Sequence, residues 1–121
     1  MKTKLLIVAD DLTGGLDSGV QLAKQGISVK VFPEPDAEGG WTKAEAEVLV
    51  AVSETRHVEP ETAFETVYRI ASLGKSAGIP YIYKKTDSAL RGNIGVELSA
   101  ALKACSAEVL PFLPAYPAMD R

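Results

Sequence analysis

Short apolar runs recur along the chain, and each ends in a cluster of charged and hydroxyl residues. The first, Leu5-Leu6-Ile7-Val8-Ala9, runs directly into Asp10-Asp11. A strand with no polar member on either face must be covered on both, which is the position of a central strand in a parallel sheet. Leu16, Val20 and Ala23 then repeat at helical spacing before Gly26, and Ile27–Phe32 alternates as a second strand, completing a βαβ unit. Pro33–Gly40 reads as a solvated connection, after which Trp41 covers a core edge or packs on a partner. Glu47–Val52 is a third strand. Ala63, Val67, Ile70 and Ala71 mark a helix that opens at Pro60, where a missing N–H costs little, and stops near Gly74 or Gly78. Tyr81–Tyr83 is a fourth strand with both tyrosines expected in the core. Val96, Leu98, Leu102 and Cys105 suggest another helix, and Glu108–Leu113 a fifth strand that Pro111 limits. The alternation predicts an α/β fold: an open, mostly parallel, three-layer sheet with helices on both faces, Rossmann-like, in one domain over residues 1–121.

The formal net charge of −3 offers no basic field for a phosphate backbone, so nucleic acid is a poor partner and a small ligand a better one. The single cysteine, Cys105, falls in an apolar helical pattern and has no partner for an internal disulfide, which favours a reducing cytoplasm and a small buried hydrophobe. The basic start Met1–Lys4 is followed by an apolar run that ends at Ala9, too short for a signal peptide or a membrane span.

In an open parallel sheet, ligands bind beyond the carboxyl ends of the strands. Asp10-Asp11 follows strand one, Ser53–His57 strand three, Lys84–Arg91 strand four and Tyr116–Arg121 strand five, so all four polar groups fall on one edge. Charge placed only for solubility would occupy both edges. The block Lys84–Gly95 is the densest of these, mixing cations, a carboxylate, hydroxyls and glycines between an apolar run and a helix start, as a site for a small polar anion requires. Asp10 and Asp11 precede a glycine-bearing helix start, where one carboxylate can take substrate hydroxyls while the other acts as base or arranges water and metal. Either aspartate, or Thr13, can equally cap that helix. Arg56, Lys85 and Arg91 bring positive charge to the same edge, which implies an acidic substrate, although each can also be an ion-pair partner of Asp10, Asp11 or Asp87.

Several familiar chemistries fit poorly. A response-regulator receiver needs a phosphate-accepting aspartate where strand three ends in Ser53-Glu54-Thr55, and a haloacid-dehalogenase-type nucleophile would fall on Ala9. No GK[ST] loop and no GxGxxG opens the first helix, so the chain has no nucleotide cradle of a recognisable kind. Ser88 and the only histidine, His57, lack the glycine pattern of a nucleophile elbow.

Ile7–Gly14, Glu54–His57, Tyr83–Gly95 and Pro114–Met119 together resemble the N-terminal, sugar-binding domain of the four-carbon acid sugar kinases, over nearly the whole chain and in register. Gly15 stands where that family commonly has alanine, and Asp120 where a glycine commonly precedes the final arginine, Arg121. Members transfer a phosphoryl group from ATP to a hydroxyl of threonate, erythronate or 3-oxo-tetronate. The resemblance implies that Asp10, Asp11, Arg56, Lys85, Asp87, Ser88 and Arg91 line the acid-sugar site, with Asp11 orienting or deprotonating the attacking hydroxyl. It further implies that ATP and Mg2+ are bound mainly by a larger C-terminal domain and that these 121 residues are a fragment inactive alone; the cytoplasm is the compartment expected from the cysteine usage, and whether the domain forms a homodimer stays open. The alternative is a stand-alone small-anion-binding or receiver-like signalling domain.

Overall fold

The structure, a computed structural model, describes residues 2–87 and 89–106. Four parallel strands, β1 (Leu5–Ala9), β2 (Val29–Phe32), β3 (Val48–Val52) and β4 (Tyr81–Lys85), lie in the order β2-β3-β1-β4. Helix α1 (Leu12–Ala23) joins β1 to β2, α2 (Pro60–Ser76) joins β3 to β4, and α3 (Ile94–Ala104) follows β4. The predicted fifth strand and the group Tyr116–Arg121 lie outside the described residues, as does Ser88.

The two apolar runs read as fully covered strands are the central pair. Leu6, Val8, Leu49 and Ala51 face α2 and α3 in a core completed by Val67, Ile70, Ala100 and Ala101, while Ile7, Val48 and Val50 face the other side with Leu22, Val29 and Val31. A helix layer on each face gives the three-layer arrangement expected. Trp41 closes the edge of the first core, 4% exposed and tilted against Phe32.

Helix α1 departs from the hydropathy pattern. Its sheet-facing side carries Gly15 and Gly19, and the apolar series at helical spacing points outward, with Leu16 46% and Val20 48% exposed. The reason is steric. A Cβ on Gly15 would stand 3.1 Å from Val52 Cγ2 and 3.3 Å from Val50 Cγ1, so the helix backbone rests on the strands at a distance that larger side chains would not permit. Helix α2 behaves as expected at its start, with Pro60 in the first turn, and separates the two glycines proposed as its stop. Gly78 takes φ +85° just past the C-terminus, whereas Gly74 is internal and makes room for Leu6.

Strand β4 runs to Lys85, two residues beyond the sequence-based estimate. Tyr81 and Tyr83, expected in the core, are 71% and 53% exposed, because α1 packs over β1, β2 and β3 and leaves the tyrosine face of β4 uncovered among the described residues. The opposite face of β4 places Ile82 and Lys84 toward the first core, Lys84 in register with Val8.

Candidate functional site

Ala9 pairs with Val52 on one side and Lys85 on the other, so β1, β3 and β4 end together and their polar sequels emerge on one edge, as the sequence implied. The ladder continues past the strands: Ser53 N–H donates to Ala9 O at 2.8 Å and Thr55 N–H to Asp10 O at 3.0 Å. This continuation carries the β3 loop alongside Asp10-Asp11 and brings Arg56 within reach of both carboxylates.

Arg56 then ties the pair. Its Nε and Nη2 donate to Asp10 Oδ2 and Oδ1, each at 3.0 Å, and Nη1 donates to Asp11 Oδ2 at 3.1 Å. The flat guanidinium matches Asp10 through two parallel bonds, a geometry an ammonium lacks. These bonds and the two negative charges raise the Arg56 pKa above its already high ordinary value, so the cation persists at any working pH. The aspartates differ in access: the Asp10 side chain is 3% exposed and Asp11 26%. Asp11 also caps α1, its Oδ1 accepting from Gly14 N–H at 2.9 Å, which assigns to Asp11 the capping left open between it, Asp10 and Thr13.

A cleft of about 290 Å³ opens over this cluster, lined by Asp10, Asp11, Glu54, Arg56, His57 and Val58. Glu54 holds φ +54°, a left-handed value that turns the chain from β3 toward Arg56. Three carboxylates and one committed arginine make the cleft rich in acceptors, a surface matched to hydroxyl donors.

The remaining predicted residues stand around it. Lys85 is half-buried, with its Nζ donating to Thr86 O at 2.6 Å and the start of α1 beside it at Gly14. No acid lies within ion-pair distance of it among the described residues. Asp87 is buried and accepts from Arg91 three times, from its backbone N–H at 3.1 Å, Nε at 2.5 Å and Nη2 at 3.2 Å. The Arg91 bonds hold the Asp87 carboxyl well below the usual carboxylate range. Arg91 itself is 62% exposed in its side chain and turned onto Asp87 rather than into the cleft. Asp10, Asp11 and Arg56 thus converge, while Lys85, Asp87 and Arg91 do not line the cleft.

Residues that the sequence analysis gave no individual role support the site. Lys84 is spent on Glu97, Nζ to Oε1 at 2.9 Å with both side chains almost fully buried. Asn93 Nδ2 donates to Thr55 O and Val58 O, both at 2.9 Å, and Gly92, at φ +94°, lies so close to Arg56 that a Cβ would meet its Cγ at 2.8 Å. The signal for Glu97 was present but oblique. Lys84 falls on the inward side of a strand, and an inward lysine needs an acid; Glu97 shares the small-residue face of α3 with Ala100 and Ala101. Cys105 is partly buried at the end of α3, where burial pushes its thiol pKa up.

An open parallel α/β sheet with an arginine-tied aspartate pair and a cleft at its carboxyl edge defines a ligand-binding domain of the strand-end type. Its family follows from comparison: residues 5–121 match the model of the sugar-binding N-terminal domain, and the chain belongs to that family. A D-threonate kinase of Salmonella typhimurium is 37% identical over 119 residues, which cover 98% of this chain and 27% of that protein. A D-erythronate kinase of Heliobacterium modesticaldum is 36% identical over 105 residues, 83% of this chain and 23% of that protein. Among solved structures, a domain of unknown function from Bordetella bronchiseptica, determined with bound citrate as a domain-swapped dimer, superposes with a TM-score of 0.80 at 32% identity, over 89% of this chain and 28% of the other. The chain therefore spans about a quarter of the length of these relatives. A receiver-like signalling domain is not favoured by these matches. Among the described residues, no helix is long and apolar enough to cross a membrane.

Proposed function

We propose that this chain is the acceptor-binding part of an ATP-dependent kinase of four-carbon sugar acids, holding threonate, erythronate or a 3-oxo relative for phosphorylation in sugar-acid catabolism. The observation that carries the reading is the Arg56 tie, which presents two oriented carboxylates at a strand-end cleft of small-molecule size. The kinases of threonate and erythronate among its relatives support the substrate class.

The two aspartates divide the work by their exposure. Asp10, buried and bonded twice to Arg56, fixes the arginine. Asp11, open to the cleft, accepts the acceptor hydroxyl and orients it, or takes its proton, for in-line attack. Arg56 has five N–H groups and spends three on the aspartates, so two remain for the ligand. The ligand's carboxylate reaches beyond the cleft lining to Lys85, which has no acidic partner among the described residues, and to Arg91, which turns its Nη1, unused in holding Asp87, toward the ligand. Asp87 and Ser88 complete the hydroxyl contacts. The kinases among its relatives, of whose length the chain spans about a quarter, support assigning ATP and Mg2+ to the remainder of a longer cytoplasmic protein. The same reading includes association into a homodimer, checked by sedimentation.

Calorimetry on this chain with D-threonate, D-erythronate and the 3-oxo acid, beside the uncharged tetritol as control, tests the reading. Binding of the acids and weaker binding of the tetritol are expected. Equal affinity for acid and tetritol would remove the carboxylate contacts, and no binding of any acid would remove the acceptor role.

A further inference from the structure

The loop that carries Arg56 is braced from below by α3. Glu97 is 1% exposed, its Oε2 accepts from Thr55 Oγ1 at 2.8 Å, and Lys84 Nζ stands 2.9 Å from its Oε1. One Glu97 oxygen faces the Lys84 ammonium and the other accepts the Thr55 hydroxyl. The single hydroxyl proton of Thr55 is therefore committed to Glu97. With that proton on Glu97, the Ser53 hydroxyl divides its own single proton between Thr55 Oγ1, 2.7 Å away, and Ala9 O at 3.1 Å. The Thr55 backbone is bonded at the same time: its N–H donates to Asp10 O at 3.0 Å and its carbonyl accepts from Asn93 at 2.9 Å.

We infer that Glu97 is a positioning residue for the Asp10, Asp11 and Arg56 cluster, acting by fixing the Thr55 hydroxyl and with it the turn from which Arg56 reaches both aspartates. Tying α3 to β4 alone would not require this arrangement. A buried ion pair recovers its desolvation cost only when its geometry is good, and apolar residues of similar volume often serve stability as well. An apolar pair, however, gives Thr55 nothing to donate to. That difference separates positioning from simple bracing.

The Arg56 Nε–H, which donates to Asp10, reports the cluster directly in 1H–15N spectra of the chain without ligand, assigned by its loss in Arg56→Lys. In Glu97→Leu, which removes the acceptor, and in Thr55→Val, hydrogen exchange at that group should speed up by about tenfold or more, while Thr55→Ser, which keeps the hydroxyl, should retain slow exchange. The double variant Lys84→Met with Glu97→Leu should regain melting temperature relative to Glu97→Leu alone yet stay fast in exchange. Slow exchange in Thr55→Val equal to wild type would overturn the inference, and so would protection that returns in the double variant together with its melting temperature. A second arm rests on the proposed function: D-threonate affinity should fall in the same variants by about tenfold. If the wild-type chain binds no sugar acid, the acceptor reading fails and the exchange measurements still decide the role of Glu97.

Discussion

At the scale of single residues, charge alone gives a poor account of the site, because its cations have different partners. Lys84 is buried on Glu97, Arg56 is shared between two aspartates, Arg91 is turned onto Asp87, and Lys85 has no acidic partner among the described residues. The sequence showed that these residues share an edge, since each follows a strand. It could not show the pairing, because Asp10 and Arg56 are 46 positions apart and meet only through the parallel register of β1 and β3. Glu97 was less legible still, lying among the apolar positions of a helix. The Arg56 geometry leads to a prediction: Arg56→Lys keeps the charge but loses the fork, and since a hydrogen bond to a charged group is worth about 1.5–3 kcal/mol, urea unfolding should show a loss of about 1–3 kcal/mol. An unchanged midpoint would mean that the aspartates need only a nearby positive charge.

Elements show where hydropathy misleads. β1 and β3 were legible because a continuous apolar run has few other uses, while the buried face of α1 was not, because glycine carries no hydropathic signal. Gly15 and Gly19 pack on the strands, and Leu16 and Val20 face outward. Replacing both Leu16 and Val20 by glutamine should therefore change stability by no more than about 0.5 kcal/mol in thermal or urea melts. Gly15→Val, which drives methyl groups into Val50 and Val52, should cost about 1–3 kcal/mol or more. The opposite ranking would restore the apolar face as the buried one. The turn between β4 and α3 adds a pH signature. Asp87 is held well below its ordinary value, first by the Arg91 side-chain bonds, so its contribution is fully present above the ordinary carboxylate pKa of about 4. It is lost as pH falls from there through the depressed folded value. Between pH 5 and pH 2, wild type should lose stability more steeply than Asp87→Asn, and parallel curves would show that the Arg91 clip adds nothing.

For the whole molecule, the layered architecture was legible from the alternation of elements alone, and the position of the site followed from it, since parallel strands share a carboxyl edge. On the proposed function, the work done there is separable in space. Phosphoryl transfer asks a protein mainly to position the acceptor and to neutralise developing charge, so an acceptor domain can hold its ligand without the nucleotide. The chain carries the aspartate pair and the cleft, has no recognisable nucleotide loop, and spans about a quarter of its relatives' length. We therefore expect D-threonate or D-erythronate to bind this chain with equal affinity in the presence and absence of ATP and Mg2+, and no phosphorylated acid to appear by 31P spectroscopy. Turnover by the chain alone would place a nucleotide site within these 121 residues. In a longer protein that includes the nucleotide-binding part, Asp11→Asn keeps one side-chain oxygen to cap α1 but sets an amide nitrogen against Arg56 Nη1, so that tie is lost while the two Arg56 bonds to Asp10 stay. Its acceptor hydroxyl loses a charged partner, and kcat should fall by about a hundredfold or more while KM changes little. A rise in KM at constant kcat would instead make Asp11 a binding group and move the orienting role to Asp10 or Asp87.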